Sequence, residues 1–207
     1  MAEVQVVKPS AVLRQLTPNA LELIEEAGRL CYQSDHDGDP AKFVRKIIDR
    51  GHESVVEHAV ASFRVVCDRG VTHEIVRHRI ASYSQESTRY CNYAKEGKRY
   101  SGIRIIMPDG LSEEQKQRRL QHFEQMQMLY EMEIAEGVAP QIARGLLPTC
   151  LKTEIMITFN LRQWRYFLRL RGGMAAHPQI REVAMLIWNT FEEHCPLLLS
   201  GLQKPVV

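Results

Sequence analysis

Apolar side chains recur along this chain with two different periods, and the changes of period mark out its elements. In LTPNALELIEEAGRLCY, Leu21, Ile24 and Ala27 return at helical spacing. They follow Thr17, whose hydroxyl can accept from a first-turn amide, and Pro18, whose fixed φ suits the first helical position. The spacing predicts a helix capped by Thr17. DPAKFVRKIIDRGH repeats the device with Asp39 and Pro40 and stops at Gly51. HAVASFRVVCD is β-branched and aromatic and predicts a strand over 58–68, while GIRIIMP and TEIMITFNL predict two more. Gly70 then opens a helix expected to run to about Ile80. Ser112, with glutamates close behind it, begins a long helix that Gly137 closes. Shorter helices are predicted at PQIARGLL, LRQWRYFLRLR and HPQIREVAMLIWNTFEEH. Strands and helices mixed without a regular βαβ rhythm make the class α+β.

With 207 residues and 44% hydrophobic content, one domain over 1–207 can build a core, and no repeat or linker divides it. MAEVQVVKPS lacks a basic segment followed by an apolar run, and no window approaches the roughly 18 apolar residues of a spanning helix. The expectation is a cytoplasmic protein with no membrane partner. Cys31, Cys67, Cys91, Cys150 and Cys195 are odd in number and widely spaced, which suits reduced thiols rather than a disulfide framework or a zinc site.

The net charge of +2 conceals a strong asymmetry. Residues 69–104 carry eight Lys or Arg against three Glu, and residues 144–181 carry seven against one. Most of these cations are arginines, whose planar fork of donors matches phosphate and carboxylate. Two Arg-rich segments far apart in sequence suggest one anionic ligand gripped from two sides. On the helix expected around Arg77, His73, Glu74, Arg77 and His78 share a polar arc while Arg79 falls on another side. That places the two arginines of RHR on different sides: either the helix serves two ligands or Arg79 reaches another chain. On the helix after Leu161, Arg162, Arg165 and Arg169 share a polar face, and Arg171 falls inside the apolar arc of Trp164, Phe167 and Leu168. A buried guanidinium needs an anion or several acceptors. Arg171 is thus a candidate ligand residue or, more simply, a cation at the helix C-terminus.

His52 and His58, six apart in HESVVEH, match no metal-binding spacing, so no metal is expected. A glycine-rich phosphate loop is absent, and any nucleotide must be held by side chains. No histidine is placed by sequence to activate Ser87 as a nucleophile. Tyr83, Tyr90, Tyr93 and Tyr100, set among basic residues, keep open a nucleic-acid-binding reading, and the long helix from Ser112 would also suit a non-catalytic oligomeric scaffold.

RHRIASYSQESTRY resembles the signature of the flavin-dependent thymidylate synthases: Arg77, His78, Arg79, Ser82, Ser87 and Arg89 stand at its spacing. HESVVEH is similar to that family's upstream segment, ARGLLP to its arginine before a Leu-Pro turn, and NLRQWRYFLRLR to its Asn-x-Arg helix. The resemblance covers most of the chain from His52 to Arg181. It implies reductive methylation of dUMP to dTMP, with 5,10-methylenetetrahydrofolate as carbon donor, NADPH as reductant and FAD as carrier. It also implies a central, mostly antiparallel sheet flanked by helices, in a homotetramer with shared active sites and no nucleic-acid partner. Carried over by position, Ser54, Arg77, His78, Arg79, Gln85, Asn160, Leu161, Arg162 and Tyr166 would line the FAD site. Glu74, Ile75, Val76, Arg77, Gln85, Glu86, Ser87, Thr88, Arg89, Arg144 and Arg171 would meet dUMP. Glu74 stands where Gln also occurs in the family, and Gln85 where Glu is common. Arg89, Ser87 and Arg144 would hold the phosphate, and Arg171, the catalytic candidate, would stabilise the anionic uracil ring.

Overall fold

The computed structural model describes residues 4–35, 38–99 and 101–206. Its strands are β1 (Gln5–Val7), β2 (Ser10–Leu16), β3 (Val60–Asp68), β4 (Ser82–Gln85), β5 (Arg104–Ile106) and β6 (Lys152–Asn160). Its helices are α1 (Ala20–Leu30), α2 (Pro40–Asp49), α3 (Arg69–Ile75), α4 (Glu113–Ala135), α5 (Pro140–Ala143), α6 (Leu161–Arg171) and α7 (Pro178–His194). Short 3₁₀ turns cover Glu53–His58, Arg144–Leu146 and Pro196–Leu199.

A four-stranded sheet has the order β2-β3-β6-β4. β3 and β6 are antiparallel, since Ala59 stands opposite Leu161 at one end and Arg69 opposite Leu151 at the other. β1 and β5 form a separate parallel ladder that pairs Gln5 with Arg104 and Val7 with Ile106. The expected antiparallel pairing is thus present in the four-stranded sheet, while β1, β2 and β4 lie where no strand was predicted.

The chain divides into two compact units. The first comprises the residues up to Pro9, Val66–His73 and Gln85–Ile155; the second comprises Ser10–Val65, Glu74–Ser84 and the chain from Met156 onward. In the first unit, Tyr93, Ile103, Ile105, Phe123, Tyr130 and Leu151 close a core beneath α4. Ser112 caps that helix as expected, accepting from Gln115 N while Gln115 Oε1 accepts from Ser112 N. Gln127, buried on α4, accepts the Ile103 amide at 2.9 Å and so ties the helix to the loop before β5.

Aromatic rings fill the second unit. Phe63 of β3 meets Trp164 of α6 at 5.0 Å and Phe191 of α7 at 5.2 Å, both edge to face, and Phe159 packs 4.3 Å from Trp164. Asp39 caps α2 as expected. Thr17 does not cap α1, which starts after Asn19 in a left-handed conformation. The Thr17 hydroxyl instead exchanges hydrogen bonds with the main chain of Val60. At the far end of α6, a Cβ on Gly172 would stand 2.7 Å from Pro205, so only glycine admits that contact. Among the described residues no helix is long and apolar enough to cross a membrane.

Candidate functional site

In the second unit the expected helix through Ile80 ends five residues early, at Ile75. The amides of Arg77 and His78 turn back to Glu74 and Ile75, and the Tyr83 hydroxyl donates to the carbonyls of Ile75 and His78, at 2.8 and 2.6 Å. These bonds satisfy main-chain groups that a longer helix would have paired. The apolar positions used to extend the helix are not core positions, for Val76 is 39% and Ile80 69% exposed. Arg77 and Arg79 therefore do not share a helix, and the argument from their angular separation falls. Both are exposed, and neither has an ion-pair partner among the described residues.

His78, between them, turns inward. It is 3% exposed and sits against Phe167, Tyr166 and Phe159 at ring separations of 5.1, 5.6 and 6.1 Å. Burial, and secondarily the Arg171 charge, push its pKa down to about 4, so the ring is neutral near pH 7. Arg171, at the end of α6, donates from Nε to His78 Nε2 at 3.2 Å, from Nη1 to the Glu74 carboxylate at 2.7 Å and from Nη2 to the Glu74 carbonyl at 3.1 Å. The apolar arc thus leads Arg171 into a half-buried position with acceptors waiting, not onto its own helix terminus. Asn160 caps α6 through its side-chain oxygen. Arg162 is exposed and paired with Glu57, while Ser54 and Tyr166 are exposed.

Arg165 overturns the polar-face expectation. It is 3% exposed, with Nε on Glu53 at 3.0 Å and Nη1 on the carbonyls of Leu198 and Ser200. Ile75 and Leu161, both expected to touch a ligand, are fully buried. Their side chains pack in the core, the Ile75 carbonyl is occupied by Tyr83, and the Leu161 amide is bonded to Ala59.

In the first unit, Gln85 to Arg89 form a tied-down turn. Gln85 Nε2 donates to the hydroxyls of Thr72 and Thr153, at 3.1 and 3.3 Å. The Glu86 amide donates to the Glu154 carbonyl and the Ser87 hydroxyl accepts the Arg89 amide, a Ser-centred turn. Arg144 reaches the buried Thr88, with Nη1 at 3.4 Å from its hydroxyl. Arg89 and Arg144 are both exposed, and neither meets a carboxylate among the described residues. Glu86, expected to touch the substrate, has its carboxylate engaged by Lys152 at 2.8 Å and by the Tyr93 hydroxyl at 2.9 Å, its amide by Glu154 and its carbonyl by Arg69 Nη1 at 3.4 Å. Burial and then the Glu86 charge push the Tyr93 phenol upward, keeping it a donor.

Sequence reasoning missed Lys152 and Gln163, and gave Tyr93 and Arg165 other roles. A buried lysine in alternation with apolar residues along β6 was the one available signal, because it needs a carboxylate partner. All five cysteines are free; burial, with Asp68 next, pushes the Cys150 thiol up to about 11, away from nucleophile duty. His52 and His58 are both exposed, and the described residues assemble no group of three or more metal-ligating side chains. Tyr100 lies outside the described residues.

Residues 12–197 match the family described as "Thymidylate synthase complementing protein". Among curated relatives, the flavin-dependent thymidylate synthase of Pyrococcus furiosus is 36% identical over 160 residues, covering 76% of this chain and 63% of its own length. That of Mycobacterium avium is 33% identical over 204 residues, covering 87% and 79%. Among solved structures, the flavin-dependent thymidylate synthase from Helicobacter pylori complexed with FAD and dUMP superposes with a TM-score of 0.79 at 23% identity, covering 94% of this chain and all of that one. A UMP/dUMP methylase from Streptomyces cacaoi bound with 5-Br dUMP gives the same score at 20% identity, covering 98% and 99%. The fold is shared with both.

Proposed function

The chain belongs to the flavin-dependent thymidylate synthase family, and from that premise we propose that it converts dUMP to dTMP. The carbon comes from 5,10-methylenetetrahydrofolate and the reducing equivalents from NADPH. We read it as a cytoplasmic homotetramer whose subunits share active sites, with 1–207 acting as one functional domain. The observation that carries the reading is the turn at Thr88. There Arg144 reaches Thr88 from a distant stretch of chain and Arg89 follows Thr88 in the register of the family signature, neither with a carboxylate partner among the described residues.

Two guanidinium groups with no carboxylate partner among the described residues suit a phosphate, which accepts charge-assisted bonds from several donors at once. Ser87 adds a hydroxyl on the same turn. With its amide nitrogen held by Thr72 and Thr153, Gln85 keeps its oxygen as an acceptor for the pyrimidine or the flavin. Arg171 would face the pyrimidine edge. Uracil C5 is a poor nucleophile until negative charge can spread into the ring, and a guanidinium fixed beside that edge stabilises the charge as it develops.

The residues present also fit FAD. Arg77 and Arg79, without ion-pair partners among the described residues, offer two guanidinium groups to a diphosphate, while Ser54, Asn160, Arg162 and Tyr166 add polar groups on the same unit. When bound, the flavin would carry the electrons that reduce the transferred carbon. The protein supplies orientation and charge.

Purified protein should be yellow, or become so with FAD, and should form dTMP when given dUMP, methylenetetrahydrofolate and NADPH together. Light scattering should give the mass of four chains. Colourless protein that ignores FAD and yields no dTMP removes the reading.

A further inference from the structure

We propose that His78 is a positioning residue for Arg171: its imidazole Nε2 accepts the Arg171 Nε–H and, with Glu74 on the terminal nitrogens, sets the plane in which the guanidinium meets the pyrimidine. This rests on the reading that Arg171 faces that ligand. The resemblance of RHRIASYSQESTRY implies a flavin contact for all three residues of RHR, but the geometry separates the histidine from its neighbours. Arg77 and Arg79 are exposed, with no ion-pair partner among the described residues; His78 is 3% exposed. Three aromatic rings surround it, and both of its nitrogens are engaged, Nε2 by Arg171 at 3.2 Å and Nδ1 by the Gln163 side-chain amide at 2.9 Å. No edge of the ring is left for a cofactor.

The chemistry of the pair fixes its roles. An arginine Nε–H can only donate, so His78 Nε2 must present its lone pair and the neutral ring carries its proton on Nδ1; the Gln163 amide, placed with its nitrogen 2.9 Å from Nδ1, must then be turned so that its oxygen accepts. A protonated ring would lose that acceptor and set two cations side by side. Of the five N–H groups of Arg171, one is held by His78, one by the Glu74 carboxylate and one by the Glu74 carbonyl. One N–H on each terminal nitrogen remains for a ligand. Without an acceptor at Nε the guanidinium can rotate about its last side-chain bond, and the two remaining donors lose a common direction. Misplacement of this kind costs rate even where every ligand-contacting group is still present.

The test uses holoenzyme and three variants. His78→Phe keeps a ring among Phe159, Tyr166 and Phe167 but removes the acceptor; His78→Gln puts an amide near the place of Nε2, and His78→Asn near that of Nδ1. FAD per chain, KM for dUMP and kcat are measured for each. His78→Phe should hold FAD like the wild type yet lose roughly 10- to 100-fold in kcat/KM for dUMP. His78→Gln should recover most of the loss and His78→Asn little. Should His78→Phe fail to fold, the order of Gln above Asn decides. Flavin lost from the variants, or Gln and Asn equal in dUMP kinetics, overturns the assignment. An active wild type beside unchanged variants removes this inference alone, whereas an inactive wild type takes the functional reading with it.

Discussion

Arg165 and Arg171 stand six residues apart on one helix, and the structure uses them in opposite ways. Arg165 is 3% exposed, with Nε on Glu53 and Nη1 on the carbonyls of Leu198 and Ser200. Arg171 keeps 17% of its side chain in solvent; its partners, Glu74 and His78, leave part of the guanidinium unclaimed. The first ties three distant stretches of chain together. The second is held still while remaining available. Each has three N–H groups engaged within the protein, so solvent access separates them: a cation sealed from solvent at 3% exposure is architecture, and one held still yet reachable is equipped to receive something.

Substitutions should separate the two ends of α6, beginning with the largest effect. Arg165→Ala leaves the Glu53 carboxylate and two carbonyls without their donor. Breaking a buried pair in this way should cost about 3–5 kcal/mol of stability, read as a lower denaturant midpoint. An Arg165→Ala protein as stable as the wild type would put the two arginines in one class.

Acid should probe the other end. His78 is neutral in the folded protein, with a pKa near 4, and ordinary, near 6.5, once unfolded. The unfolded chain then binds the proton first. Stability from this group is complete above pH 6.5 and declines as the pH falls toward 4, by at most about 3 kcal/mol. Denaturation curves at pH 7 and pH 4.5 should show that slope in the wild type and a shallower one in His78→Phe. Equal slopes would mean that the ring does not stay neutral among its neighbours.

Arg171→Ala should be the mildest for stability, about 1 kcal/mol, because its partner Glu74 is itself one-third exposed. Its dTMP formation should nonetheless fall by roughly 100- to 1000-fold with FAD retained. Full activity in that variant would leave the comparison without its functional half.

Much of this was legible beforehand because local chemistry decided it. Asp39 before Pro40, and Ser112 with Gln115, cap their helices through their own side chains, and the β-branched runs of β3 and β6 are buried strands. Arg171 stood out because a cation on an apolar arc demands acceptors. Arg165 was misassigned because angular position on a helix names a side but not what covers it. The turn Glu53–His58 and the segment after Cys195 are what lie over that side, brought there by folding. The early end of α3 was likewise invisible, since Tyr83, eight residues on, takes the carbonyls that stop it. The Glu86–Lys152 pair, 66 positions apart in sequence, could be found only after β4 and β6 became neighbours.

The close approach of Pro205 to Gly172 makes the chain beyond α7 a brace for the end of α6, one residue past Arg171. Lys204, anchored to Glu192 at 2.7 Å, keeps that brace seated. Affinity handles or truncations placed there would thus reach Arg171, which we propose faces the pyrimidine, without altering that residue or its direct partners.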